Sequence, residues 1–265
     1  MLLYPDESEK RMYAPERHQA ILARARAAGR VEVRDLAEAL AVTPETIRRD
    51  LTSLERRGLV RRAHGGAVPV ESVSATPSVA ERGTVHAAEK SAIAAAALAE
   101  LPEKGSVIID AGSTTIRLAE LVPRDRELTV VTHSVPVAIA LSAHPLIHLH
   151  LLGGSLRPDS MASVGTWTHQ MIGMVTADIA FISVNGITPE RGYTTHELSE
   201  AAVKTALIRA ARRSIVLADH TKFGREEFGR IAPLGAIDTI VTDAGVNPEL
   251  RADVEASGPD IIVAH

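Results

Sequence analysis

The sequence predicts an α/β protein in two unequal parts, and three observations carry that prediction. Between residues 17 and 56 apolar side chains recur at helical spacing. From residue 87 onward, short runs rich in Val, Ile and Leu alternate with amphipathic helical stretches, the pattern of a largely parallel sheet covered by helices. The 265-residue chain is 45% hydrophobic but only 3% aromatic, which suits an aliphatic core in one moderate domain plus a small one.

Composition excludes several functions. There is no cysteine, so disulfides, thiol catalysis and cysteine-based zinc sites are ruled out. The N-terminal MLLYPDESEKRMYAPER lacks the apolar run of a signal peptide, and no stretch reaches the roughly 18 apolar residues of a membrane span. The expectation is a soluble cytoplasmic protein without membrane association. The net charge of −4 is unevenly spread. Residues 1–70 carry 13 Lys and Arg against 10 Asp and Glu, whereas residues 71–265 carry 16 against 23. A basic reader attached to an acidic body has this asymmetry.

The first part reads as three helices and a hairpin. Residues 17–28 bury Ile21, Leu22, Ala25 and Ala28, and Gly29 ends the helix. Val33, Leu36, Ala37 and Leu40 mark a second helix, separated by Ala41 and Val42 from the next. Thr43 is a good N-cap, Pro44 suits the first helical position, and Glu45 complements the helix dipole. Ile47, Leu51 and Leu54 face a core, while Thr46, Arg49, Ser53 and Arg56 share the opposite side. Gly58 is placed to end this helix. Leu59–Arg62 and Ala67–Val70 flank a glycine-rich turn at His64-Gly65-Gly66, as in a hairpin wing. The whole is a winged helix-turn-helix over residues 14–70, its helix-turn-helix at about 31–50, and its partner is double-stranded DNA. Arg56 and Arg57 read as solvated and dipole-complementing.

The stretch VEVRDLAEALAVTPETIRRDLTSLERRGLVRRAHGGA resembles the DNA-binding segment of DeoR-type transcriptional regulators. The resemblance implies that Thr43, Thr46, Arg48 and Arg49 approach the major groove or its flanking phosphates, with Ser53 on the same stripe. It implies that Arg61, Arg62 and His64 meet the backbone or minor groove from the wing. The plainer alternatives are that Arg48 pairs with Asp50 and that Thr46 serves only as a cap.

Residues 71–86, rich in Ser, Thr and Pro with no apolar period, read as a linker. A larger domain follows over 87–258. It opens with an alanine-rich helix at 89–101. Strands are expected at Val107–Asp110, Thr129–Thr132, Ile147–Leu152, Ala177–Val184, Ile215–Asp219 and Thr239–Asp243, with a further one at Ile261–Val263. Helices are expected near 114–121, 135–143, 166–176, 196–211 and 247–257. Ligands of such sheets bind beyond the carboxyl ends of the strands. There the sequence places Asp110-Ala111-Gly112-Ser113-Thr114-Thr115, Thr132-His133-Ser134, Gly153-Gly154-Ser155-Leu156-Arg157, Asn185-Gly186 and Asp219-His220-Thr221-Lys222. Gly112 to Thr115 would offer backbone N–H groups and hydroxyls to an anion. Arg157, Lys204 and Lys222 would neutralise a phosphate, and Asp110 and Asp219 would accept from sugar hydroxyls.

Glu81-Arg82, Glu89-Lys90, DAGSTT, THS, GGSLR, NGI, EAAVK and ADHTKF stand in the order of a DeoR-type effector domain, so the resemblance runs from about Arg17 onward. It implies a sensor domain similar in fold to ribose-5-phosphate isomerase, glucosamine-6-phosphate deaminase and CoA-transferases, and a phosphorylated sugar as ligand. It also implies a homodimer or homotetramer and a repressor of a carbohydrate-utilisation operon. His133 departs from the asparagine frequent in the pattern. No cofactor and no metal is implied. Two alternatives stand beside this reading. One is an isomerase-like enzyme using Asp110, Glu197, Asp219 and Lys222; the other is a metal-responsive regulator using His144, His148 and His150.

Overall fold

In this computed structural model residues 13–28, 30–56, 59–63, 65–69 and 77–265 are described, and the chain divides into two units between Ala75 and Thr76. In the first, α1 (Ala14–Ala28), β1 (Val31–Glu32), α2 (Val33–Ala39), α3 (Pro44–Arg56), β2 (Val60–Ala63) and β3 (Gly66–Pro69) follow in order. The expected stripes meet in one core: Ile21 and Ala25 of α1, Leu36 and Ala37 of α2, and Ile47, Leu51 and Leu54 of α3 are all buried. The two wing strands pair antiparallel, and β1 adds a third strand beside β3. That third strand explains Gly66, because a Cβ there would lie 1.9 Å from the Val31 carbonyl oxygen. Gly29, Gly58 and His64 lie outside the described residues, as does the Arg61 side chain.

In the second unit, α4 (Val79–Thr84), α5 (Ala87–Ala97), β4 (Lys104–Ile109), α6 (Ser113–Leu121), β5 (Glu127–Thr132), α7 (Val135–Leu141) and β6 (Ile147–Leu151) come first. They are followed by β7 (Ser155–Arg157), β8 (Ala162–Val164), α8 (Thr166–Ile172), β9 (Ala177–Ser183), β10 (Gly186–Thr188), β11 (Gly192–Thr195) and α9 (Leu198–Arg209). The chain ends with β12 (Ala211–Leu217), β13 (Gly229–Ala232), β14 (Thr239–Asp243), α10 (Pro248–Glu255) and β15 (Asp260–Ala264).

Seven of these strands form one parallel sheet in the order β15-β14-β12-β9-β4-β5-β6. The apolar runs of its inner strands are buried on both faces, as a parallel sheet requires, while the edge strand β6 is only half covered. The chain enters at β4, runs outward through β5 to β6, then returns to β9 on the other side of β4. Strand order therefore reverses between β4 and β9, and a crevice opens beyond their carboxyl ends.

Three readings change here. Part of the segment read as a linker is the helix α4: Ser78 accepts from Glu81 N while Glu81 bonds back to Ser78 N, a capping box. Residues 71–76 of that segment lie outside the described residues. The domain expected to close at residue 258 extends through β15, which pairs along β14 from Asp260 to Ala264. Two small antiparallel elements, β7-β8 and β10-β11-β13, were absent from the strand reading because each strand is only three or four residues long. Among the described residues no helix is long and apolar enough to cross a membrane.

Candidate functional site

On α3 the expected cap is formed, with Thr43 Oγ1 accepting from Thr46 N at 3.2 Å. The polar face carries Arg48, Arg49, Thr52, Ser53 and Arg56 around a shallow depression. Arg49 is 81% exposed and Arg48 55%, held only by Glu45 at 3.8 and 3.3 Å. Such surface pairs are worth little, so both guanidinium groups remain available. Asp50 does not pair with Arg48. It is buried and accepts from Arg17 and from His18 Nε2 at 3.0 Å, tying α1 to α3 beneath the exposed face. The Asp50 hydrogen bond, working against burial, raises the Arg17 pKa. Arg62 is exposed on the wing, and its N–H donates to Glu55 at 3.0 Å.

In the second unit a cleft of about 350 Å³ lies at the sheet's reversal point. Gly112, Ser113 and Thr114 form one wall, at the N-terminus of α6. Ser183, Val184 and Asn185 at the end of β9 form another, and Asp219, Thr221 and Lys222 after β12 a third. Gly112 is needed where the first two walls touch: a Cβ would lie 2.4 Å from Ser183 Oγ. Arg82 enters from α4, with its Nε buried and without a hydrogen-bond partner. Lys90 is buried, and donates to the carbonyls of Arg82 at 2.6 Å and Val85 at 2.7 Å.

The electrostatics favour an anion beside a hydrogen-bonding group. Burial lowers the pKa of Arg82 and of Lys90, opposed by Glu200, Asp159 and Asp110 for the first and by Asp219 for the second. Burial acts to raise the Asp219 carboxyl, but the Thr221 hydroxyl and the charges of Lys222 and Lys90 outweigh it and hold the group below its usual range. Asp219 Oδ1 accepts from Thr221; Oδ2 has no hydrogen bond and sits 3.5 Å from Lys222 Nζ. Arg82, Lys90 and Lys222 thus converge with a helix N-terminus on one cleft, with an ionised carboxylate at its side.

Known proteins can now be set beside this arrangement. Residues 85–244 match the model of the DeoR C terminal sensor domain, and residues 17–73 match the DeoR-like helix-turn-helix domain. The chain belongs to the DeoR family. It is a DNA-binding transcriptional regulator, and relatives match along nearly their whole length. The HTH-type transcriptional regulator GlpR of Haloferax volcanii is 36% identical over 230 residues, 87% of this chain and 90% of that one. The HTH-type transcriptional regulator GolR of Listeria innocua is 31% identical over 96% of this chain and 100% of its own. The glycerol-3-phosphate regulon repressor of Escherichia coli K12 is 30% identical over 88% and 92%. Among solved structures, ribose 5-phosphate isomerase A of Methanocaldococcus jannaschii matches 50% of this chain and 52% of its own at 15% identity, with a TM-score of 0.35, too distant to support any argument.

Within this DeoR sensor unit the structure sorts the residues picked from sequence. Gly112, Ser113, Thr114, Asp219 and Lys222 line the cleft together. Thr115 is turned inward, donating to Gly112 O at 2.9 Å. Thr132 donates to Ile109 O at 2.6 Å, and Ser134 caps α7. Gly154 packs where a Cβ would meet Thr168 Oγ1 at 2.1 Å, and Gly153 O accepts from that hydroxyl at 2.8 Å. Arg157, expected at a phosphate, is surrounded by Asp159, Glu197 and Glu200 at 3.2–3.8 Å. Asp110, His133 and Lys204 are buried behind the Gly112 wall and bond to one another, so Asp110 and Lys204 do not face the cleft as expected. Arg82, His86, Lys90, Asn185, Thr221 and Arg225 line it instead. The motifs Glu81-Arg82 and Glu89-Lys90 were visible in the sequence, but only the packing of α4 and α5 brings them to the strand ends.

Proposed function

We propose that this regulator represses a carbohydrate-utilisation operon and that a small phosphorylated sugar in the cleft controls its operator binding. The observation that carries the reading is the convergence of Arg82, Lys90, Lys222 and the N-terminus of α6 on the cleft. The phosphate would lie at Ser113 and Thr114, within reach of the three cations, and sugar hydroxyls would bond to Asp219 and Asn185. On α3 and the wing, Thr43, Thr46, Arg48, Arg49, Ser53, Arg61, Arg62 and His64 would meet operator DNA. Assembly as a homodimer or homotetramer would place paired winged helices on repeated half-sites and supply affinity that one small domain lacks. A relative named as a glycerol-3-phosphate regulon repressor supports a small phosphorylated ligand.

Catalysis is not favoured. Among the described residues the carboxylates lining the cleft are Glu81, engaged in its capping box, and Asp219. Asp219, held below the usual carboxylate range, is a weak base for carbon-bound protons. Asp110 is saturated with donors, and Glu197 caps α9. The metal-sensing alternative finds no support either: His144 bonds to Pro123 O, and His148 and His150 stack on each other at 4.6 Å. No group of three or more candidate ligands occurs among the described residues.

A thermal-shift series of phosphosugars against their unphosphorylated parents tests the proposal. A true ligand at a hundred times its Kd should stabilise the fold by about 2.7 kcal/mol, and its parent should not. Lys222→Ala should bind operator normally but fail to respond to that ligand. Arg49→Ala should lose roughly 1–3 kcal/mol of operator affinity. A screen in which no phosphorylated sugar stabilises the protein sinks the sensor reading, while unchanged operator affinity in Arg49→Ala sinks the α3 assignment.

A further inference from the structure

Behind the Gly112 wall lies a polar cluster of Asp110, His133 and Lys204, none of which lines the cleft. Asp110, at the end of β4, and His133, at the end of β5, are fully buried, and Lys204 on α9 is 3% exposed. Asp110 Oδ2 accepts from Ser183 N at 2.8 Å and from Lys204 Nζ. Lys204 Nζ also donates to Ser183 O at 3.0 Å and reaches Ala111 O at 3.4 Å. Ser183 Oγ donates to Ala111 O at 2.6 Å. The cluster therefore ties together two cleft walls, the loop entering α6 and the loop leaving β9.

The hydrogen-bonding partners of His133 constrain where its protons sit. Its Nδ1 lies 2.8 Å from the Ser163 carbonyl oxygen. A carbonyl can only accept, so Nδ1 carries a proton. Its Nε2 lies 2.8 Å from Asp110 Oδ1. A bare ring nitrogen facing a carboxylate at that distance would set lone pair against lone pair, with no water to separate them. A second proton therefore lies between Nε2 and Oδ1, whichever atom holds it. The Ala111 N–H also donates to Nε2, at 3.3 Å the longer of the two contacts there, and the 2.8 Å approach of Oδ1 still needs a proton between the two atoms. With that proton in place, the Asp110–His133 pair is neutral as a whole and Lys204 leaves the cluster one positive charge. Asp110, just after β4, meets the ring directly, Lys204 from α9 acts on it through Asp110, and Arg82 of α4 is close enough to feel Asp110. The β8 strand presents only the Ser163 carbonyl.

We infer that His133 is a positioning residue for the cleft, and that the proton it shares with Asp110 links anion binding there to pH. Loss of the proton opens the Asp110–His133 contact, loosens the Ala111–Ser183 tie and removes positive charge from beneath the α6 N-terminus. Anion binding and retention of the proton then favour each other, which is linkage between two sites. The inference rests on the reading of the cleft as an anion site.

The test uses the full-length protein and inorganic sulfate, whose charge is constant from pH 6 to 9. Sulfate affinity should fall as pH rises, by up to about tenfold per unit where the one proton leaves. His133→Gln, whose amide can reach Asp110 but does not titrate, should flatten that profile. His133→Ala should weaken binding at every pH, with the glutamine variant restoring part of the loss. Nitrogen-15 spectra of the wild-type ring should show Nδ1 protonated and a far-downfield proton shared with Nε2. An equal pH slope in wild type and His133→Gln overturns the inference, as does a ring whose Nε2 carries and shares no proton. If sulfate and phosphosugars both fail to bind, the anion-site reading falls, and the nitrogen spectra still decide the shared proton.

Discussion

Gly112 illustrates how much of the cleft depends on single atoms. A methyl group there would meet Ser183 Oγ at 2.4 Å and Ser183 Cβ at 2.6 Å, so one wall must move. Gly112→Ala should therefore abolish the phosphosugar-induced thermal shift and cost about 1–3 kcal/mol in a denaturant titration, with operator binding retained. A variant of normal stability that still responds would show that the walls yield without consequence. Asp50 makes a related point in the other unit. In the sequence it stands two residues from Arg48, yet neighbours at that spacing point to different sides of a helix. Its partners Arg17 and His18 lie 33 and 32 residues away, a pairing that only the α1–α3 contact creates.

At the scale of elements, the long periodic segments were legible. The α3 stripe, the strands of the parallel sheet and the helices between them emerged with ends within a few residues, because burial on one or both faces imposes a strong apolar pattern. Short elements were not. α4 spans six residues and shows no apolar period, although Ser78 and Glu81 stand at capping-box spacing. It matters because it carries Arg82 to the cleft, and because Lys90 of α5 bonds the carbonyls at its end. Lys90→Met should leave those carbonyls without their donor. Amide exchange across residues 79–85 should quicken, and the response to phosphosugar should weaken with it. Unchanged exchange there would mean that α4 is held by the Arg117 contact to Gly83 O and the Val79 N–H bond to Asp159 O alone.

For the whole molecule, the division between Ala75 and Thr76 implies that the two units have separate cores. Residues 77–265 expressed alone should unfold cooperatively and keep the full phosphosugar-induced stabilisation while losing operator binding. A fragment that folds but no longer responds would place part of the ligand site outside the sensor unit. The sequence by itself determined the two-part organisation, the α/β class, the polar stripe of α3 and the Gly112–Thr114, Asp219 and Lys222 portions of the cleft. These are local properties, written in periodicity, capping residues and loops that follow strands. Only the tertiary structure decided which polar residues face the cleft. Asp110, Lys204 and Arg157 are drawn into internal bonds, while Arg82 and Lys90 arrive from elements packed across the strand ends. The physical reason is that a buried charge must find its partner within a few ångströms, and those partners stand as far as 94 residues away in the chain.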